Sequence, residues 1–170
     1  MDSNDTSALF AEFLSFFPKA DLPLTIQYSD HHIFTKSNDP LPDRLLQQFV
    51  FPNLDFEIDE FTEFLPCLKF DSSLKMHHLI IWSARLLHYS FSLMNFNQQG
   101  VFLDMSEIAG FYSEKNELIQ KMAHVDGDAN IYIVEGNIAE NQLEVLPEKT
   151  MKWQVQILPD GEIETIPMLI

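Results

Sequence analysis

"TMKWQVQILPDGEIETI", residues 150 to 166, decides the fold, because its apolar residues recur at every second position. Met151, Trp153, Val155 and Ile157 point one way along an extended chain while Lys152, Gln154 and Gln156 point the other. That is the pattern of a half-buried strand. Pro159 fixes its own φ and Gly161 accepts a positive φ, so the chain turns at 159–161 and runs back through "EIETI" as a last strand.

The same reading extends upstream. "ELIQKMAHV" (117–125), the turn "DGD" (126–128) and "NIYIVEG" (130–136) predict a hairpin. "HHLIIWSARLLHYSFSLMNFNQQGVFLDMSEIAG" (77–110) predicts three successive strands, with turns near 84–87 and at 97–100. Within the second of these strands Tyr89, Phe91 and Leu93 alternate with Ser90 and Ser92, after which Met94 and Phe96 change face, as at a bulge or in a strand covered on both sides. The sum is an antiparallel, curled β-meander of about six to seven strands.

The front of the chain has a different period. In "TSALFAEFLSFF" (6–17) Leu9, Phe10, Phe13, Leu14 and Phe17 form the stripe of an amphipathic helix that Pro18 ends. In "LPDRLLQQFVF" (41–51) Pro42 suits a first helical turn, Leu45, Leu46, Phe49 and Val50 share a face, and Pro52 is the expected stop. Between them "LPLTIQY" (22–28) reads as a short extended piece and "DHHIFTKSNDP" (30–40) as a loop or edge strand. The expected fold class is α+β: two N-terminal amphipathic helices packed on the sheet, the greasy side of which they cover. One domain is expected, with a helical front segment at 1–62 and the antiparallel sheet at 63–170, since either half alone would bury too little surface.

"IIWSARLLHYSFSLMNFNQQGVFLD" (80–104), followed by "IAG" (108–110), "DGD" (126–128), "IYIVEG" (131–136) and "ILPDGEI" (157–163), resembles the strand pattern of an uncharacterised bacterial family of hypothetical proteins. The likeness spans most of residues 60 to 166. It departs at the first turn, where Arg85 and its neighbours stand in place of a glycine. What it implies is the fold class; it carries no functional residues.

Charge narrows the function. Ten bases face 26 acids, a net charge of -16, and each half of the chain holds five bases and thirteen acids. A surface that displaces counterions from phosphates needs clustered Lys and Arg, so nucleic-acid binding is not expected, nor is attachment to an anionic membrane. Apolar runs stop well short of the ~18 residues that cross a bilayer. The opening stretch lacks the positive region of a signal peptide, and the single cysteine, Cys67, fits a reducing compartment, so a cytoplasmic location is expected.

"NLDFEIDEFTEF" (53–64) is the most conspicuous acidic stretch. Read as extended, it sets Asp55, Glu57 and Asp59 on one side, about 6.5–7 Å apart, and Leu54, Phe56 and Ile58 on the other. A straight stripe cannot converge on a cation at about 2.3–2.6 Å. "DGDANIYIVEGN" (126–137) opens like a calcium loop but has Ile131 where glycine belongs and Asn137 where a bidentate Glu belongs. The histidine pairs 31–32 and 77–78 would point to opposite faces of a strand, and no metal-ligand spacing occurs. Cys67 lies in an apolar run, and neither a nucleophile elbow nor a phosphate loop is present. No catalytic residue, metal or cofactor is therefore predicted.

The preferred expectation is a non-enzymatic interaction module that holds a basic or amphipathic protein partner through a sheet face or through the Phe-rich acidic segment 54–64, with Asp55, Phe56, Glu57, Asp59 and Phe61. The alternative is a small-molecule or hydrolase-like site in a cup of the curled sheet, lined by Trp82, His88, Tyr89 and Trp153, where His88 would meet an acid such as Asp104 or Glu107. The chain is expected to be a monomer, or a homodimer through a sheet edge or the apolar tail "IPMLI" (166–170).

Overall fold

The computed structural model describes residues 3–138 and 150–168. Among these residues nine strands form one open antiparallel sheet: β1 Leu24–Ile26, β2 Glu63–Phe70, β3 Met76–Arg85, β4 His88–Asn97, β5 Phe102–Glu114, β6 Glu117–Val125, β7 Ile131–Ile138, β8 Met151–Ile157 and β9 Ile163–Pro167. β2 to β9 follow one another in sequence order across the sheet, and β1 pairs with β6. The expected turns are in place. At 126–130 the Asp126 carboxylate accepts the Asp128 and Asn130 amides at 2.9 and 3.0 Å, and at 158–162 Gly161 takes a φ of +91°. The strands exceed the six or seven expected because the short extended piece at 24–26 joins the sheet and 63–70 forms a strand of its own.

Among the described residues the helices are three rather than two: α1 Ser3–Ser15, α2 His31–Ser37 and α3 Asp43–Leu45, the last running on as a π turn over Leu46–Val50 and a 3-10 turn over Phe51–Asn53. They are not simply N-terminal to the sheet, since β1 precedes α2 and α3. α2 replaces the expected loop or edge strand. The Thr35 and Ser37 hydroxyls donate to the carbonyls four residues back, and the Asp30 carboxylate accepts the Gln27 amide at 2.8 Å, so polar residues typical of loops are absorbed into two helical turns. Pro52 does not stop the second helix outright; it sits in the first turn of the 3-10 segment.

β3 and β4 are buried on both faces, over residues 78–84 and 90–96. On one side Leu79, Ile81, Met94 and Phe96 pack beneath α1 and the 43–53 helix, where Phe96 touches Phe10, Phe13 and Phe49. On the other, Ile80, Trp82, Phe91 and Leu93 join Ala123, Val125, Ile131, Ile133 and Val155 in a second core. The helices thus cover one side of the central strands, and the larger core lies within the sheet's own curl.

The curl originates in β5. Ala109 lies opposite Phe91 and Glu107 opposite Ser92, so Ile108 is an extra residue, a bulge that bends the strand. β5 pairs with β6 only from Gly110 onward. Its first half instead meets the β8–β9 turn, where Asp104 Oδ2 accepts the Ile163 amide at 2.7 Å, and from neighbouring β4 Asn95 Nδ2 donates to the Gly161 carbonyl at 3.0 Å. The outer edge of β2 is covered too, by backbone bonds from residues 18–20 and by Asn38 Nδ2, which donates to the Pro66 and Cys67 carbonyls. Of the apolar tail, Ile166 and Pro167 complete β9 and the Met168 amide donates to the Lys152 carbonyl, while residues 169–170 lie outside the described residues.

Candidate functional site

Cross-strand partners share a face of a sheet, so the register identifies what continues beyond the helix-covered patch. Leu79, Met94 and Met105 make one row, Ile81, Ser92 and Glu107 the next, then Ser83, Ser90, Gly110, Lys121 and Glu135, then Arg85, His88 and Tyr112. Along this face apolar side chains give way to hydroxyls and then to charges. The helices end over the apolar rows. The chain at 53–56 covers the polar ones, with Phe56 stacked on Phe64 and the Arg85 guanidinium 3.8 Å from the centre of the Phe56 ring.

Glu107 is the hub. Its Oε1 lies 2.9 Å from His88 Nε2 and 3.5 Å from Arg85 Nη2. The His88 ring stacks on Tyr112 at 4.7 Å, Lys121 Nζ stands 5.4 Å from the Tyr112 ring centre, and the same ammonium is 3.5 Å from Glu135 Oε1. Burial pushes the Glu107 carboxyl up, but the His88 hydrogen bond and the charges of His88, Lys121 and Arg85 outweigh it and hold the group below the ordinary range. Burial pulls Lys121 down, yet Tyr112, Glu135 and Glu107 more than compensate and its value is raised. Burial raises the Tyr112 phenol. Near neutral pH the face therefore presents a carboxylate, an ammonium and a neutral phenol in contact.

Two adjoining clefts open onto this face. One, of about 410 Å³, is walled by Asp55, Ser106, Glu107, Lys121, Glu135 and Trp153, with Met105, Ile133 and Thr165 filling in. The other, of about 260 Å³, shares Asp55, Met105, Ser106 and Glu107 and runs on past Phe56 to Asn53. Asp55 and Glu107 stand where the two meet.

The structure redistributes the sequence-predicted residues. Residues 54–62 are not a strand, so Asp55, Glu57 and Asp59 do not form a straight acidic stripe. Asp59 instead organises a turn, accepting the Phe61 amide at 2.8 Å and the Thr62 hydroxyl at 3.1 Å. Asp55 and Phe56 reach the clefts, while Glu57 and Phe61 are exposed. Trp82 and Tyr89 do not join His88: they alternate onto the opposite side of β3 and β4, where Trp82 stacks on His31 at 5.2 Å and on Tyr89 at 6.4 Å. Of the two acids named for His88, Glu107 meets it and Asp104 is spent on the Ile163 amide. Trp153 does line the larger cleft.

Sequence reasoning passed over Lys121, Glu135 and Tyr112. The signal is a charge in an apolar phase: Lys121 shares its period with Ile119, Ala123 and Val125, and Glu135 with Ile131 and Ile133, so each falls in register with buried apolar neighbours. Among the described residues no group of three His, Cys, Asp or Glu is placed to hold a metal ion, and no helix is long and apolar enough to cross a membrane. Cys67 is buried, and burial drives its thiol far above the ordinary range. No family model, no curated protein and no solved structure matches this chain.

Proposed function

We propose that the protein binds a small ligand bearing a cationic group in the cleft beneath residues 53–56. The supporting observation is the charge lining of that cleft, three carboxylates (Asp55, Glu107, Glu135) against one ammonium (Lys121). Glu107 is balanced by Arg85 and hydrogen-bonded by His88, and Glu135 is balanced by Lys121. Asp55 makes no hydrogen bond or ion pair among the described residues, so its charge is available. Trp153 supplies an aromatic wall, against which a ligand cation gains about 0.5–2 kcal/mol. The cleft falls within the ~300–1,000 Å³ that small-molecule sites occupy.

Half-buried ionic clusters are poor stabilisers, because desolvation consumes much of the Coulomb gain. Their placement in a cleft is better explained by a ligand. The test is calorimetric titration and thermal shift with choline, putrescine and agmatine, with acetate as the anionic control. At least one amine is expected to bind and to raise the melting temperature, and Asp55→Asn with Glu135→Gln to abolish the effect. Binding of acetate alone, or of none of the probes, contradicts the proposal.

A further inference from the structure

At one end of the sheet β3 turns into β4 through Leu86 and Leu87, which are 77% and 63% exposed. Leu87 holds a φ of +59°, a conformation that glycine or asparagine adopts far more readily. Nothing in a two-residue hairpin calls for exposed leucines. Beside this turn, Glu63 lies opposite Ala84, and Phe56 sits under the Arg85 guanidinium, so the chain from 56 to 63 runs along the same end of the molecule. It brings Phe61, 66% exposed, and Ile58, 41% exposed. Four large apolar side chains are thus displayed at one end of the fold, and Glu57, Asp59, Glu60 and Glu63, all exposed, are interleaved in sequence with two of them, Ile58 and Phe61. Between Arg44 and Lys69 the sequence contains no basic residue.

We infer that this end is a docking surface for a basic amphipathic peptide segment of a protein partner, which would set its apolar side chains against Phe61 and Leu86 and its Lys or Arg residues against the acidic rim. Apolar exposure sets the contact and the rim sets its sign. A second copy of the chain fits poorly, since it would bring one acidic rim against another. The surface is separate from the cleft, and either stands without the other.

The test uses the full chain and a fluorescent helical peptide of about 18 residues, five turns, with leucine on one face and lysine on the other. Saturable binding by anisotropy is expected, weaker at higher salt and at least roughly tenfold weaker for a peptide of the same composition in scrambled order. Phe61→Ser with Leu86→Ser, and separately Glu60→Gln with Glu63→Gln, should each weaken it by a similar factor while the melting temperature holds, because all four side chains are exposed. Excess choline should not compete. Equal binding of the scrambled peptide, unchanged binding by both double variants, or a homodimer that Phe61→Ser with Leu86→Ser dissociates would overturn the inference.

Discussion

Glu107 Oε1 lies 2.9 Å from His88 Nε2, although the two residues belong to different cross-strand pairs, Glu107 with Ser92 and His88 with Tyr112. Two features of β5 allow this. The extra residue at Ile108 re-aims the strand, and Gly110, opposite Ser90, lets the two strands close up beside the pair. A Cβ on Gly110 would overlap the Tyr89 carbonyl oxygen, so the close approach of β4 and β5 also depends on this glycine.

Glu107→Gln should destabilise the fold by about 1–3 kcal/mol at neutral pH, since it leaves Arg85, His88 and Lys121 facing a neutral amide. The folded-state carboxyl titrates below the ordinary value, so its contribution is present above that value and is lost as pH falls through the folded one. Urea denaturation should therefore show a difference between wild type and variant that shrinks as pH falls through the folded-state value, where the wild-type carboxyl becomes neutral like the amide.

His78 is fully buried between Ser72 Oγ at 2.7 Å and Asn95 Oδ1 at 2.8 Å. Because Asn95 Nδ2 donates to the Gly161 carbonyl, its Oδ1 accepts from His78 Nδ1–H, and His78 Nε2 accepts from the Ser72 hydroxyl, a fully satisfied neutral ring. Burial lowers its folded-state value below the ordinary one. The unfolded chain takes up the proton first as pH falls, so stability decreases from about pH 7 to about pH 5. The melting temperature measured across that range should fall for wild type and fall less steeply for His78→Gln, with His77, also lowered, supplying the remainder.

Gly161→Ala should cost more than about 1 kcal/mol, because the residue sits at a φ of +91° and its new methyl would overlap Leu103. The damage extends past the turn, since the Gly161 carbonyl holds Asn95 and through it His78. A melting curve and the near-ultraviolet spectrum report both effects.

Cys67 should not react with a thiol-specific reagent in the native protein and should react fully once denatured, because it is buried and its thiol is held far above neutral pH. Native reactivity within minutes would mean that β2 opens readily.

Alternation made the sheet legible: Met151 to Ile157, the Pro159–Gly161 turn and the three strands after His77 appear in the structure where their periods place them. What alternation could not convey was the second covered face. In β3 and β4 seven consecutive residues are buried, so Leu79 and Ile80 look alike in sequence although one packs on α1 and the other on the sheet's interior. For the same reason the sequence alone groups Trp82 and Tyr89 with His88, from which the pleat separates them. α2 was hidden because its Thr, Ser and His residues are as much at home in a loop. The site was half legible. His88 and Glu107 stood out as candidates, but Lys121 and Glu135 gain meaning only when the bend in β5 turns their face toward Asp55.

The most direct test is an amide and indole chemical-shift map of the protein titrated with choline and with agmatine. The proposed site predicts saturable shifts at Asp55, Ser106, Glu107, Lys121, Glu135 and the Trp153 indole. Shifts confined to the exposed acids of residues 57–63, or none at saturating amine, would contradict it.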